Sequence, residues 1–370
     1  MAGRDPEKVL IDPWGAILIE DYKRMIEEFG IEPFTDELLR RLPSPNRLMR
    51  RKVIFSHRDL GVIVEAMERK EPFYALSGIT TSADKIHLGN KMVVENMAYF
   101  QRQGAKTFLL VADLEVAATK GISVEESRKR ALDFHIPAYL ALGMDPEKTV
   151  FYFQSQNKDV MRLAHILSRR VTLSEFRAIY GEINVGKITA SLLDISDILY
   201  PQLEERIPGI IPVGVDQDPH LRLARDVAKR AKDVQRFMPP ASVYHKFTPS
   251  LDGSFKMSKS KPGSYIEIPE DPDGAAKKID KALTGGRETE ELQRKLGGEP
   301  EKCVIFELYK QHLIEDDREL DRIYNDCRSG ALLCGEDKAK AMRLVREFLT
   351  DFNRKMERAK DEVGDLVFLE

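Results

Sequence analysis

The pattern of apolar and polar positions divides the chain into three stretches. Residues 1–68 repeat apolar positions at helical spacing in short runs that stop at glycine or proline, which predicts a helical N-terminal extension. Residues 69–268 alternate short apolar runs with amphipathic stretches, whereas residues 269–370 are mainly amphipathic. We therefore predict an α/β domain that lies between the extension and an α-helical C-terminal domain.

Several apolar runs of the middle stretch contain almost no alternating polar positions. Such runs suit strands that are buried on both faces of a parallel sheet. The runs are Phe73–Leu76, Thr107–Ala112, Thr149–Phe153 and Ile210–Val215. Because amphipathic stretches separate them, the pattern predicts a Rossmann-like, doubly wound parallel sheet.

The carboxyl ends of these strands define where a ligand is expected. In doubly wound sheets, ligands bind outside the carboxyl ends of the strands, near the point where the strand order reverses. We therefore predict that the loops after residues 76, 112 and 215 face one crevice. The segment 171–209 is interrupted by glycine and proline and is expected to be less regular.

Composition and charge narrow the class of protein. The chain has 370 residues, 42% hydrophobic and 32% charged, which is typical of a soluble globular protein of about two or three domains. With a net charge of −3, any site for a polyanion must be a local patch. No apolar run reaches membrane-span length, the N-terminus has no signal peptide, and three cysteines argue against disulfides or zinc. A cytoplasmic protein without a metal site is expected.

A lysine-rich loop offers the first candidate chemistry. The segment 252–263 contains Lys256, Lys259 and Lys261 among serines, and glycine and proline residues bound it. Lysine ammonium groups and serine hydroxyls suit phosphate oxygens. By itself, however, the segment is equally consistent with a solvated surface turn.

A second segment adds weight to phosphate binding. A loop rich in glycine, serine and threonine follows the first strand, and His87-Leu88-Gly89-Asn90 then begins a helix. Glycines at 78 and 89 let a ligand approach the backbone, and a helix N-terminus favours anions. His87 and Asn90 can both donate hydrogen bonds to phosphate.

These two segments together resemble the HIGH and KMSKS signatures of class I aminoacyl-tRNA synthetases, in order and in spacing. The stretch 212–226 resembles the tryptophanyl-tRNA synthetases of archaeal and eukaryotic type, and the segments 12–14 and 329–338 resemble the ends of the same enzymes. Two positions depart from the family pattern. Asn90 stands where HIGH ends in histidine, and Leu110 stands where many members have a glutamine in the amino-acid pocket.

The resemblance implies a reaction and a set of nucleotide-binding residues. Tryptophan and ATP would form tryptophanyl-adenylate and pyrophosphate, and the amino acid would then pass to tRNA(Trp). Mg²⁺ would enter with ATP, without a dedicated protein site. The catalytic residues would be His87, Asn90, Lys256 and Lys259. The residues implied for ATP binding are Gly78, Thr81, His87, Gly89, Asn90, Gly214, Asp216, Lys256, Met257, Ser258 and Lys259.

The same resemblance implies binding sites for the other partners. Tyr74, Glu115 and Gln217 would bind tryptophan, with Tyr74 in reach of the indole N–H. Asp326 and Arg328 would read the tRNA anticodon from the C-terminal domain. An insertion at about 116–209, which includes the less regular segment 171–209, would build a homodimer.

Alternatives remain at this stage. The Asp113-Leu114 step also resembles archaeal tyrosyl-tRNA synthetases, so a tyrosine-specific enzyme is a second interpretation. A nucleotide-binding relative without aminoacylation activity is a third. Asp194 and Asp197 are expected to have structural roles.

Overall fold

The computed structural model describes residues 22–258, 261 and 263–369. Its strands are β1 Glu32–Pro33, β2 Ile54–Arg58, β3 Tyr74–Ile79, β4 Ile86–His87, β5 Lys106–Val111, β6 Thr149–Phe153, β7 Gly209–Gly214, β8 Ala241–His245, β9 Glu267–Ile268 and β10 Phe368–Leu369. Eight of them form one sheet in the order β1-β2-β8-β7-β3-β5-β6-β10, and β4 pairs with β9 in a separate ribbon.

The large sheet is doubly wound, as predicted. From β3 the chain proceeds through β5 and β6 on one side, and β7 and β8 lie on the other side. Within the sheet order, every pair of neighbouring strands in the series β8-β7-β3-β5-β6-β10 is parallel. The strand order therefore reverses between β3 and β7, which is where a ligand crevice is expected.

The helices surround this sheet and build the C-terminal domain. They are α1 Tyr22–Phe29, α2 Asp36–Arg41, α3 Arg47–Arg50, α4 Leu60–Arg69, α5 Leu88–Arg102, α6 Asp113–Lys120, α7 Val124–Arg130, α8 Ile136–Ala141, α9 Lys158–Ser168, α10 Leu173–Tyr180, α11 Val185–Leu199, α12 Asp218–Arg230, α13 Pro272–Asp280, α14 Glu290–Leu296, α15 Val304–Leu308, α16 Asp317–Ser329 and α17 Cys334–Val363. A π-helical turn at Ala131–His135 joins α7 to α8, so the chain is nearly continuously helical from Val124 to Ala141.

The N-terminal extension is not purely helical, which corrects the prediction for residues 1–68. Within its described part, β1 and β2 extend the large sheet at one edge, and β2 pairs antiparallel with β8. Both β2 and β8 include buried serine and histidine, Ser56 and His57 in one and Ser242 and His245 in the other. These polar residues conceal the apolar pattern of a buried strand. Residues 1–21, including Asp12, Pro13 and Trp14, lie outside the described residues.

The segment 171–209 is more regular than predicted, because it forms α10 and α11. Thr172 and Glu175 form a capping box at the start of α10, and the Asn184 side chain caps α11. Gly181 separates the two helices at φ 72°, a backbone conformation that favours glycine. Glycine and proline here mark the ends of helices and do not indicate a loop.

The C-terminal region is helical, as predicted, but it does not stand apart from the sheet. Its apolar core includes Ile305 and Leu349, and it also takes in Leu88 at the start of α5 and Met257 of the lysine loop. After α17, β10 returns to pair with β6. The boundaries at 68/69 and 268/269 stay predictions, and the packing couples the start of α5 and the lysine loop to the C-terminal helices.

Candidate active site

A cavity of about 430 Å³ lies at the carboxyl ends of β3, β5, β7 and β8. Gly78, Ala112, Gly214 and His245, from these four strands or the positions just after them, all line it. The predicted crevice is therefore present. It has one end formed by the His87 turn and the lysine loop, and another formed by α6 and α11. They are called the nucleotide end and the amino-acid end after the ligands that the sequence resemblance implies for them.

The start of α5 builds the first part of the nucleotide end. The His87 Nδ1 atom accepts a hydrogen bond from the Gly89 N–H at 3.0 Å, and the Asn90 Oδ1 atom accepts one from the His87 N–H at 3.1 Å. This reciprocal cap fixes both side chains at the N-terminus of a 15-residue helix. A Cβ atom at Gly89 would lie 2.8 Å from His87 Cε1, so any larger residue there would displace the His87 ring.

The lysine loop forms the facing part of the nucleotide end. The Lys256 Nζ atom donates to Asp216 Oδ2 at 2.7 Å and lies 4.8 Å above the Phe247 ring. Met257 is buried and lines the cavity, whereas Ser258 is exposed and is not among the lining residues. Lys261 pairs with Asp252 at the surface. Lys259 lies outside the described residues.

Two glycines, Gly214 and Gly78, line the cavity between the start of α5 and the lysine loop. A Cβ atom at Gly214 would lie 2.5 Å from Asp216 Oδ1, so a side chain there would displace the carboxylate that holds Lys256. A Cβ atom at Gly78 would make only ordinary contact with Leu110 at 3.6 Å. Gly78, Gly214 and Asp216 all line the cavity.

Two residues chosen from the sequence do not reach the cavity. Tyr74 is fully buried at the amino end of β3, and its hydroxyl donates to the Ile198 carbonyl at 2.7 Å. Thr81 is also fully buried, its hydroxyl is bonded to Ser127, and its neighbours Thr80 and Ser82 line the cavity instead. Both side chains are therefore absent from the cavity lining, and strand direction places Tyr74 at the end of β3 opposite to the crevice.

The amino-acid end contains Glu115 and Gln217, as expected, and also two acids that were expected to be structural. Asp194 and Asp197, one turn apart on α11, both line the cavity. The Asp197 carboxylate accepts from the Tyr152 hydroxyl at 2.9 Å and from Gln154 Nε2 at 2.6 Å. Burial raises the pKa of Asp197 to about 7.

Asp194 forms a second polar group at this end. Its Oδ2 atom lies 3.1 Å from His220 Nδ1, and Asp194 lines the cavity together with Glu115. Burial, followed by the charges of Glu115 and Asp197, raises the pKa of Asp194 well above its usual range. The apolar parts of the wall include Leu110, Val116 and Ile198. An apolar chamber with fixed acceptors suits an aromatic amine or a zwitterion with an aromatic side chain.

The sequence carried a signal for these acids. Asp194 and Asp197 are spaced as i and i+3 in the apolar second half of α11, so they lie on the same face of the helix. Buried carboxyl groups are costly unless they are paired or used, so their position indicates a function. Gln154 is harder to predict, because it follows β6 and acts through Asp197.

Comparisons with known proteins agree with this geometry. The model of the family described as tRNA synthetases class I (W and Y) matches residues 67–350. The chain belongs to this family. It is 44% identical to the tryptophan–tRNA ligase of Methanocaldococcus jannaschii over 95% of the chain and 96% of the relative. For the ligase of Aeropyrum pernix the identity is also 44%, over 96% of the chain and 97% of the relative.

Solved synthetase structures share the fold. The crystal structure of tryptophanyl-tRNA synthetase from Aeropyrum pernix has a TM-score of 0.88, with 96% of this chain and 98% of that chain covered. The structure from Plasmodium falciparum has a TM-score of 0.86 at 25% identity. The resemblance to tryptophanyl-tRNA synthetases of archaeal type is therefore confirmed, and the tryptophan-specific interpretation is favoured over the alternatives.

The remaining predictions from the sequence concern the anticodon-reading residues and a metal site. Asp326 and Arg328 are exposed at the end of α16, where Gly330 ends the helix at φ 79°, and Arg328 Nη1 lies 3.7 Å from Glu301 Oε1. Among residues 22–258, 261 and 263–369, no group of His, Cys, Asp or Glu could hold a metal ion. No helix in that part of the chain is long and apolar enough to cross a membrane.

Proposed function

We propose that the chain activates L-tryptophan with MgATP and transfers it to tRNA(Trp). The observation that carries this proposal is the single cavity that joins a phosphate-suited end to an apolar chamber with buried acceptors. Both reactants would lie in one cavity, so the amino-acid carboxylate can attack the α-phosphate without any protein nucleophile. Catalysis then comes from alignment and from charge stabilisation on the departing pyrophosphate.

At the nucleotide end, Lys256 would stabilise that charge. Its ammonium pairs with Asp216, and the side chain is 36% exposed. The two glycines at 253 and 263, both at positive φ, give the loop freedom to bring the lysine over bound phosphates. Asp216 would then be released to accept from the ribose hydroxyls. His87 and Asn90 would contact the phosphates from the start of α5, and Lys259 would join from the loop.

At the amino-acid end, Asp197 would accept the indole N–H, in place of Tyr74. Tyr152 and Gln154 hold its carboxylate in one orientation, and each oxygen retains a lone pair. Glu115, Asp194 and Gln217 would bind the ammonium group. Because a site built to bind N–H rejects analogues that lack it, discrimination against other aromatic amino acids follows without editing.

The test is ATP–pyrophosphate exchange driven by single amino acids. Tryptophan should support exchange with kcat/KM at least about 1,000-fold above that for tyrosine. Equal or greater exchange with tyrosine would assign the enzyme to the tyrosyl group. ATP binding without exchange for any amino acid would indicate a relative that has lost activity.

We also propose a homodimer and an anticodon site. Leu173 and Val185, at the starts of α10 and α11, are 50% and 76% exposed, as expected of residues that a second copy would cover. In sedimentation experiments, the wild type should be a dimer and the Val185→Asp variant should be a monomer. Arg328→Ala should raise the KM for tRNA by about tenfold and leave exchange unchanged.

A further inference from the structure

The base of the lysine loop is hydrogen-bonded to the segment that follows β8. Thr248 in that segment is 2% exposed and lines the cavity. Its carbonyl accepts a hydrogen bond from the Met257 N–H at 2.7 Å. The Lys256 ammonium lies 4.8 Å above the ring of the neighbouring Phe247. The backbone at Phe247 and Thr248 therefore sets where the loop presents Lys256.

Two side chains of the C-terminal region contact this base. Gln311 and His312 lie on a π-helical turn, Tyr309–Leu313, and both are buried. The Thr248 hydroxyl donates to Gln311 Oε1 at 2.8 Å and lies 2.8 Å from His312 Nε2. Short π-helical turns are rare, and they occur frequently at functional sites. This turn is bonded directly to a residue of the cavity wall.

The direction of each hydrogen bond in this group follows from its partners. The Gln311 amide nitrogen donates to Glu307 Oε2 at 3.0 Å and to the Phe247 carbonyl at 3.4 Å. Its oxygen therefore faces Thr248 and takes the single proton of that hydroxyl, which leaves His312 Nε2 to donate to the hydroxyl. The His312 Nδ1 atom has no hydrogen-bond partner among the described residues, and burial lowers the pKa of the ring, so the imidazole is neutral.

The N-terminal extension holds the same turn from its other side. Arg47 Nε donates to the Gln311 carbonyl at 3.0 Å. Arg51 Nη1 donates to the carbonyls of Lys310 at 2.9 Å and Ile314 at 2.7 Å. Hydrogen bonds from a guanidinium group are stronger than those between neutral groups. The turn is therefore a firm support for the two side chains that contact the loop base.

We propose that Gln311 and His312 are positioning residues, which fix the base of the lysine loop through Thr248 and so set the reach of Lys256. The inference rests on the proposed function, in which Lys256 stabilises charge on the departing pyrophosphate. Neither Gln311 nor His312 is among the residues that line the cavity, so they act through Thr248 and not on a substrate. Their loss should lower kcat and leave the amino-acid end of the cavity unchanged.

The first measurement compares exchange by His312→Leu and His312→Gln. Leucine cannot donate to the Thr248 hydroxyl, so kcat should fall by about tenfold, with the KM for tryptophan within about twofold of the wild-type value. A glutamine amide can donate from near the position of Nε2, so His312→Gln should recover most of kcat. Thr248→Val removes the same hydrogen bonds and serves if His312→Leu does not fold.

The control for these variants is His165→Leu, which removes an exposed histidine on α9 and should have the kcat of the wild type. Wild-type kcat in His312→Leu would overturn the proposal. Equal losses in His312→Leu and His312→Gln would also overturn it, because they would assign the effect to packing of the ring and not to its hydrogen bond.

A double-mutant cycle tests whether His312 acts through Lys256. If it does, His312→Leu should change kcat by less than about twofold in a protein that already carries Lys256→Ala. Losses that multiply in the double variant would place the action of His312 elsewhere and contradict the proposal.

Trypsin cleavage after Lys256, identified by fragment mass under native conditions, gives a readout that does not depend on catalysis. Cleavage should be about fivefold faster in His312→Leu than in the wild type or in His165→Leu, because the loop base is less firmly held. An unchanged cleavage rate would contradict the positioning role. Faster cleavage in the variant, together with a wild type that supports no exchange, would refute the proposed function and leave the hold on the loop established.

Discussion

The two ends of the cavity differ in how their charged side chains are exposed and held. At the nucleotide end, the Lys256 ammonium is partly exposed and pairs with Asp216. Gly89 leaves room for the His87 ring, and Gly253 adopts a positive φ. At the amino-acid end, Asp197 is 1% exposed and is fixed by two donors. Mobile charge suits a group whose charge develops during reaction, and fixed buried acceptors suit selection of a ground-state ligand.

The contrast predicts that substitutions at the nucleotide end change mainly kcat. Lys256→Ala removes a charge that would act on the departing pyrophosphate, so kcat for exchange should fall by at least about 100-fold. Lys261→Ala, a matched loss of a surface lysine from the same loop, should change kcat by less than about twofold. Exchange rates that survive in Lys256→Ala within threefold would contradict the role of the loop.

At the amino-acid end, the buried Asp197 carboxyl should lower the free energy of unfolding as the pH rises. The pKa of Asp197 is raised from 3.8 to about 7 by burial, so the folded state binds a proton that the unfolded state has lost over this range. The free energy of unfolding of the wild type should therefore fall between about pH 4 and pH 7, relative to Asp197→Asn, by on the order of a few kcal/mol. Chemical denaturation across this pH range checks the prediction, and parallel curves for the two proteins would argue against it.

A subtler substitution tests the backbone of the nucleotide end. Gly89→Ala places a methyl group against the His87 ring and should break the Gly89-to-His87 hydrogen bond. We expect kcat for exchange to fall by about tenfold, because the imidazole that we propose to contact the phosphates moves. Gly335→Ala is the control, since a Cβ atom there meets nothing within 4 Å. Wild-type kcat in both variants would show that the turn does not position a catalytic group.

The smallest effect on catalysis is expected at Tyr74. The sequence resemblance implied that this residue binds tryptophan, but it does not line the cavity. Tyr74→Phe removes the bond to the Ile198 carbonyl and should lower the free energy of unfolding by about 1 kcal/mol. The KM for tryptophan should change by less than about twofold. A large rise in KM with unchanged stability would restore Tyr74 to the binding site.

The sequence predicted best what local periodicity and short motifs encode. The buried strands β5 and β6, the start of α5 at Leu88, and the HIGH-like turn all lie where the pattern placed them. The crevice followed from strand direction alone, since β3 and β7 end at the same edge of the sheet. These features depend on neighbours along the chain, so they can be read without tertiary structure.

Features that depend on distant neighbours were missed. The strand β2 is polar enough to resemble a loop, and it becomes a strand only because β8 supplies its hydrogen bonds. The role of Asp197 depends on Tyr152 and Gln154, which are more than forty residues away in sequence. The position of Tyr74 was misjudged for a local reason: β3 continues to Ile79, beyond the predicted end of the run at Leu76, so Tyr74 lies at its amino end.

The division between the two ends is tested most directly by tryptophan binding in the absence of ATP. Calorimetry of wild type, Lys256→Ala and Asp197→Asn isolates the amino-acid end from the chemistry. Lys256→Ala should bind tryptophan within about twofold of the wild type, and Asp197→Asn should bind at least about tenfold more weakly. The reverse order, with the lysine variant weakened and the aspartate variant unchanged, would contradict the account.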